Sequence, residues 1–113
     1  MEEEGREFVT PEIEKRQHRR AKLVIQVTCA ALSRDEILVT RDLSIGGLFL
    51  TTHTPLPLDS VVGLSFNLGT GSPAISCDGK VVSSMQGMGM GIEFTGTSDE
   101  SRRSLEKFVD EAL

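Results

Sequence analysis

Apolar and polar residues alternate along most of the chain. Leu23, Ile25 and Val27 stand two apart, the spacing that places side chains on one face of a strand, and predict a strand over residues 22–31. Ser33-Arg34-Asp35 reads as a turn, followed by a second strand over 37–43 paired antiparallel with the first. A bend at Asp42-Leu43-Ser44-Ile45-Gly46-Gly47 follows, where two glycines permit positive φ or close backbone approach. Residues 48–52 resume as a strand, with Leu48 and Leu50 on one face and Phe49 on the other. The prolines at 55 and 57 remove ladder donors, so 54–59 is a connecting loop. Val62, Leu64, Phe66 and Leu68 alternate as a fourth strand, and 69–73 is a hairpin loop. A long fifth strand over 74–84, bent at Gly79, turns at 84–87 into a sixth over 89–95, with Ile92 and Phe94 as its inward pair.

The period then changes. Thr97-Ser98-Asp99-Glu100 matches a capping box, in which the Thr97 hydroxyl bonds the third helical N–H and Glu100 reaches back. Leu105, Phe108, Val109 and Ala112 follow as one apolar helical stripe. Such a helix needs a surface to lie on, and the open end of the sheet supplies one. The expected fold is mainly β: six antiparallel strands curled into a small barrel, with a C-terminal α-helix. Residues 1–14 hold six glutamates, a glycine and a proline with little periodicity, and read as a flexible acidic tail in front of a domain over 15–113.

Length and charge narrow the classes. A chain of 113 residues forms one domain with one modest core. No stretch approaches the roughly 18 consecutive apolar residues of a membrane span. The acidic start has the wrong sign for a secretory signal, so a cytoplasmic location is expected. Cys29 and Cys77 stand alone in strand-like runs and read as small buried hydrophobes, neither paired nor metal-binding, and no resident cofactor is expected.

No catalytic pattern emerges. Ser44 lacks the glycine two residues before it that a nucleophile elbow needs, Asp42 standing there instead. His18 and His53 have no evident partner. Gly87-Met88-Gly89-Met90-Gly91 is followed by a strand, not by the helix whose N-terminus would receive a phosphate. The chain is therefore expected not to be an enzyme.

One stretch departs from the average. The net charge is -5, yet Lys15-Arg16-Gln17-His18-Arg19-Arg20-Ala21-Lys22 gathers five cations just before the first strand. A basic segment on an acidic protein points to a small anionic ligand rather than to nucleic acid, where charge spreads over a whole face. A barrel for single-stranded nucleic acid would also need stacking aromatics, and the chain has no Trp and no Tyr. Arg16 and Arg20 could equally balance the glutamates of the tail, and Asp42, Ser44 and Gly47 could be turn formers only.

Arg16-x-x-x-Arg20 followed by Asp42-x-Ser44-x-x-Gly47 resembles the PilZ domain family, bacterial receptors for cyclic di-GMP. The resemblance continues through Gly47-Leu48-Phe49-Leu50, Gly79-Lys80-Val81-Val82 and Met90-Gly91-Ile92-Glu93-Phe94 to the closing helix. It implies a PilZ-type barrel and a cyclic di-GMP site made of Arg16, Arg20, Asp42, Ser44 and Gly47; Lys15 and Gly46 are additional candidates, as are Arg19 and Arg41, which add charge but which the family pattern does not assign. It further implies that Lys15, just before the first motif, favours a stacked pair of ligands. The chemistry agrees, because guanidinium groups pair with phosphate, bond the guanine edge and stack on bases, while a carboxylate accepts from guanine N–H groups. Ligand bridging the basic segment and the barrel would order that segment and signal to an unknown downstream protein partner. The rival expectation is an interaction adaptor that keeps the frame and ignores nucleotide.

Overall fold

A computed structural model describes residues 20–31, 34–69 and 74–112. The expected acidic tail and the candidates Lys15, Arg16 and Arg19 lie outside them, as does most of the 69–73 loop. Seven strands and one helix follow in order: β1 Ala21–Lys22, β2 Gln26–Ala31, β3 Arg34–Leu43, β4 Gly47–Thr51, β5 Val61–Phe66, β6 Ile75–Met85, β7 Gly89–Gly96 and α1 Asp99–Ala112. Every strand pairing is antiparallel. Strands β3-β2-β5-β6-β7-β4 form a continuous ladder, and β4 pairs back onto β3, closing a six-stranded barrel. β1 continues the β2 edge of β3, with Ala21 opposite Leu43 and Lys22 opposite Asp42.

The core is aliphatic. Val27 and Cys29 of β2, Leu43 of β3, Leu48 and Leu50 of β4, Val62, Leu64 and Phe66 of β5, and Ile75 and Val81 of β6 enter it with Met90 and Ile92 of β7. The period-two spacing seen in the sequence is the face they share. Phe94 packs against this cluster without being fully buried, its ring stacked 6.3 Å from that of Phe66. Met90 and Ile92 are the fully buried pair of β7, whereas Phe94 is only partly buried. Leu68 stays buried although β5 ends at Phe66.

Several boundaries differ from those the local pattern predicts. Arg34 and Asp35 belong to β3, since β2 pairs with it as far as Ala31 opposite Arg34. The predicted first strand is interrupted at residues 23–25, and the cause is Thr40. Its buried hydroxyl donates to the Leu23 carbonyl at 2.8 Å and accepts from the Ile25 N–H at 2.9 Å, while its own N–H donates to the Ile25 carbonyl. A side chain thus supplies the pairing that a regular ladder would have made. β6 runs on to Met85, and the turn to β7 falls at 86–88 with Gly87 at φ 78°.

The helix starts one residue later than the capping box implies. Ser98, not Thr97, is the cap: its hydroxyl accepts the Ser101 N–H at 3.1 Å, and its carbonyl takes the first helical bond from Arg102. Asp99 and Glu100 then sit in the first turn, where acidic groups complement the helix dipole. Leu105 and Val109 enter the core and Phe108 packs beside them, whereas Ala112 is exposed.

Thr40 generates a test of this account. Thr40→Val keeps the shape but leaves the Leu23 carbonyl and the Ile25 N–H without their partner. Stability to urea should fall by about 1–3 kcal/mol, and Thr40→Ser should recover most of it.

Candidate ligand-binding site

The site is built where β1, the end of β3 and the turn into β4 meet. The β3–β4 register passes from Thr40 opposite Leu50 to Asp42 opposite Phe49, so Arg41 is an extra residue, a β-bulge. The bulge resets the alternation. Thr40 points inward, Arg41 and Asp42 are carried to the outer side, and Leu43 returns to the core at 0% exposure. β1, paired with the end of β3, delivers Arg20 to the same place.

There Arg20 is held by both motif residues. Its Nε donates to Asp42 Oδ1 at 2.7 Å and its Nη2 lies 2.7 Å from the same oxygen, while Nη1 donates to Ser44 Oγ at 3.3 Å. Arg41 Nε donates to the other carboxylate oxygen, Asp42 Oδ2, at 3.2 Å. The Asp42 carboxylate therefore carries a guanidinium on each oxygen, which is how a charge this buried is accommodated.

Ser44 is almost fully enclosed. Its Oγ accepts from the backbone N–H groups of Gly46 and Gly47, each at 3.2 Å, and donates to the Gly47 carbonyl. The Ser44 N–H donates to Gly47 O at 2.8 Å, and Phe94 N–H donates to Gly46 O, tying the turn to β7. A Cβ on Gly47 would overlap the Ile92 carbonyl oxygen, so the glycine is required by strand contact as well as by the cleft it lines.

These residues border an open cleft of about 670 Å³, within the range of small-ligand sites. Its walls include Arg20, Arg41, Asp42, Glu93, Phe49 and Arg102. Three guanidiniums thus face two carboxylates in a chain whose overall charge is negative. Of the sequence candidates, Arg20, Arg41, Asp42, Ser44, Gly46 and Gly47 come together here; Lys15, Arg16 and Arg19 lie outside the described residues. Sequence reading missed Phe49 and Arg102. Phe49 stands on the face of its strand opposite Leu48 and Leu50, and no motif includes Arg102, so local pattern marks neither.

A second groove, about 480 Å³, is lined by Asp35, Asp78, Cys77 and neutral residues. Two carboxylates and no cation make it the poorer place for an anion. Burial, and then the neighbouring Asp78, push the Cys77 thiol up to about 11, and Cys29 is raised too, first by burial and then by Glu36 and Asp35. Both cysteines are free thiols. Neither has the thiolate character of a nucleophile near neutrality.

The PilZ domain model matches residues 14–111, and the chain belongs to the PilZ domain family. Bacillus subtilis inhibitor of motility (MotI/DgrA) superposes with a TM-score of 0.78 at 14% identity, covering 85% of this chain and 50% of that one. This chain therefore spans half the length of that protein. The PilZ domain of CeSA from a cellulose-synthesizing bacterium gives a TM-score of 0.64 at 22% identity, covering 82% and 96% of the two chains. The PilZ domain of Escherichia coli YcgR, with c-di-GMP, gives 0.65 at 18% identity, covering 87% and 91%. At these identities the likeness is one of fold. Comparison with curated proteins gives no match. No helix among the described residues is long and apolar enough to cross a membrane.

The thiol supplies a test. A raised folded-state value means that the neutral Cys77 thiol contributes fully below pH about 9 and is lost as pH rises towards about 11. Urea stability should drop between pH 8 and pH 10.5, and Cys77→Ala should drop less. Native Cys77 should also react with a disulfide reagent at pH 8 far more slowly than in the urea-unfolded chain.

Proposed function

We propose that the protein is a bacterial second-messenger receptor that binds cyclic di-GMP between its N-terminal Arg16-x-x-x-Arg20 segment and the Asp42-x-Ser44-x-x-Gly47 turn. The observation that carries this reading is the placement of Arg20. Asp42 and Ser44 hold its guanidinium at the wall of an open cleft, with its remaining N–H donors available to a phosphate or to the O6/N7 edge of a guanine. Family membership and the likeness to the YcgR domain with c-di-GMP support the choice of ligand.

In this reading the roles divide. Arg16, four residues before Arg20, brings a second guanidinium to the ligand. Asp42 orients Arg20 and offers its carboxylate to guanine N–H groups. Ser44, at 1% exposure, acts by fixing the turn and Arg20. Gly46 and Gly47 keep the turn slim beside the cleft, and Lys15 and Arg19 add positive charge. Ligand closes the segment over the barrel in the cytoplasm, and the altered surface is what a downstream protein partner reads. Binding and presentation, not catalysis, are the activity.

A second reading has its own observation. The hydrogen bonds of Ser44 and the ion pairs of Asp42 are satisfied within the chain, so the motif can serve as a structural joint in an adaptor that binds protein and not nucleotide.

Calorimetric titration with cyclic di-GMP separates the two. Saturable heat is expected for the native protein, and Arg20→Ala, checked for folding by circular dichroism, should weaken it roughly 10- to 100-fold, the worth of a charge-assisted hydrogen bond. A folded native protein that gives no heat would leave the adaptor reading standing. Hydrogen exchange tests the signalling step: backbone amides within 1–20 should gain protection with ligand, and equal exchange in both states would rule the ordering out.

A further inference from the structure

Arg41 is built into the cleft although it stands outside both family motifs. Because it is the bulge residue, its side chain is turned onto the outer surface, where its guanidinium carbon stands 3.9 Å from the centroid of the Phe49 ring. Phe49 lies over β7 at Gly89 and Gly91, where a Cβ on Gly89 would run into the ring. Two glycines on one face of β7 thus leave a shallow bed, the ring fills it, and the guanidinium rests on the ring. Phe49 is consequently buried although it points away from the core. Asp42 Oδ2 accepts from Arg41 Nε and fixes the group within its plane. The Arg41 side chain is still 54% exposed, and it lines the cleft with Arg20.

We propose that Arg41 is a stacking platform, sandwiched between Phe49 and a purine base of the bound ligand, and that it positions that base beside Arg20. This rests on the nucleotide reading above. A planar, delocalised guanidinium stacks on aromatic faces and on bases, whereas an ammonium offers only a point charge. The arrangement is prepared in advance: the flat group is held on one face by a ring and along its edge by a carboxylate, so little side-chain freedom remains to be lost on binding. A base laid on the outer face would continue the stack of glycine bed, phenyl ring and guanidinium. Asp42 then links the two arginines, holding Arg20 for the anionic or edge contact and Arg41 for the face.

Arg41→Lys is the discriminating variant, since it keeps the charge at an exposed position and removes the plane. Calorimetry with cyclic di-GMP should show roughly 5- to 100-fold weaker binding, the range of one base–side-chain stack. The salt dependence of binding should match that of the native protein. The near-ultraviolet circular dichroism of the bound ligand, taken as the difference from the free protein because the chain has no Trp or Tyr and only the weak bands of five Phe, should lose amplitude. Phe49→Leu, checked for folding by its urea transition, should weaken binding in the same way, and Arg41→Lys added to it should cost little more. Native affinity and an unchanged ligand spectrum in Arg41→Lys, while Arg20→Ala weakens binding as expected above, would overturn the platform and leave the receptor reading intact. Absence of binding by the native protein would overturn both.

Discussion

The pairing of β3 with β4 closes the barrel, and the single extra residue in that pairing determines what the outer surface presents. Without the bulge, strict alternation after Thr40 would send Asp42 inward and Leu43 outward. A carboxylate would then need partners inside an aliphatic core, at a cost far above what a small domain sustains. With the bulge, Leu43 completes the core at 0% exposure, and Asp42 stays within reach of two guanidiniums. One inserted position thus satisfies the core and assembles the site. The other register shift on this side, between Val81 and Ser83 of β6, acts similarly: Val82 is turned out towards the cleft and Ser83 Oγ accepts the Gly91 N–H.

The same atoms carry fold and site in the turn that follows. Ser44 Oγ satisfies two backbone N–H groups and also receives Arg20, and Gly47 is bare because the β7 backbone leaves no room for a Cβ. Removing either group therefore disturbs the turn before it disturbs any ligand. Arg20 and Arg41 differ in kind, for neither guanidinium is needed to complete a strand ladder or to fill the core. What they stabilise is the buried Asp42 carboxylate.

The strands and helix were legible because they obey a local period: Val62, Leu64 and Phe66 are two apart in sequence and share the core face. What local pattern could not show came from contacts between distant residues. The break at 23–25 exists because Thr40, far along the chain, takes the Leu23 and Ile25 backbone groups with its hydroxyl. Within β3, Ile37 and Val39 are as apolar as Leu38 yet face outward, a choice made by the pairing with β2, which sets Leu38 opposite the buried Val27, not by hydrophobicity. The helix cap slipped by one residue because Thr97 and Ser98 offer the same hydroxyl, and only the path of the chain out of β7 selects Ser98. At the site, the paired motifs pointed to Arg20, Asp42, Ser44 and Gly47. Phe49 was obscured because its partners, Arg41 and two glycines of β7, lie on other strands.

Arg20 is attached to the barrel by little else than this polar cluster. β1 is a two-residue strand, too short to hold its N-terminal neighbour by ladder bonds alone, so the position of Arg20 depends on Asp42 and Ser44. Any anion or guanine edge that engages Arg20 adds to or competes with those bonds, and the effect passes directly to the chain entering at residue 20. Charge reinforces the local character of this coupling. The protein as a whole repels anions, and ionic screening limits attraction to about 8 Å at physiological salt. At that range the charge of the cleft is set by its own side chains, and among the described residues the guanidiniums of Arg20, Arg41 and Arg102 face Asp42 and Glu93. The joint that fixes Arg20 is thus also what holds the chain where it enters the barrel at residue 20.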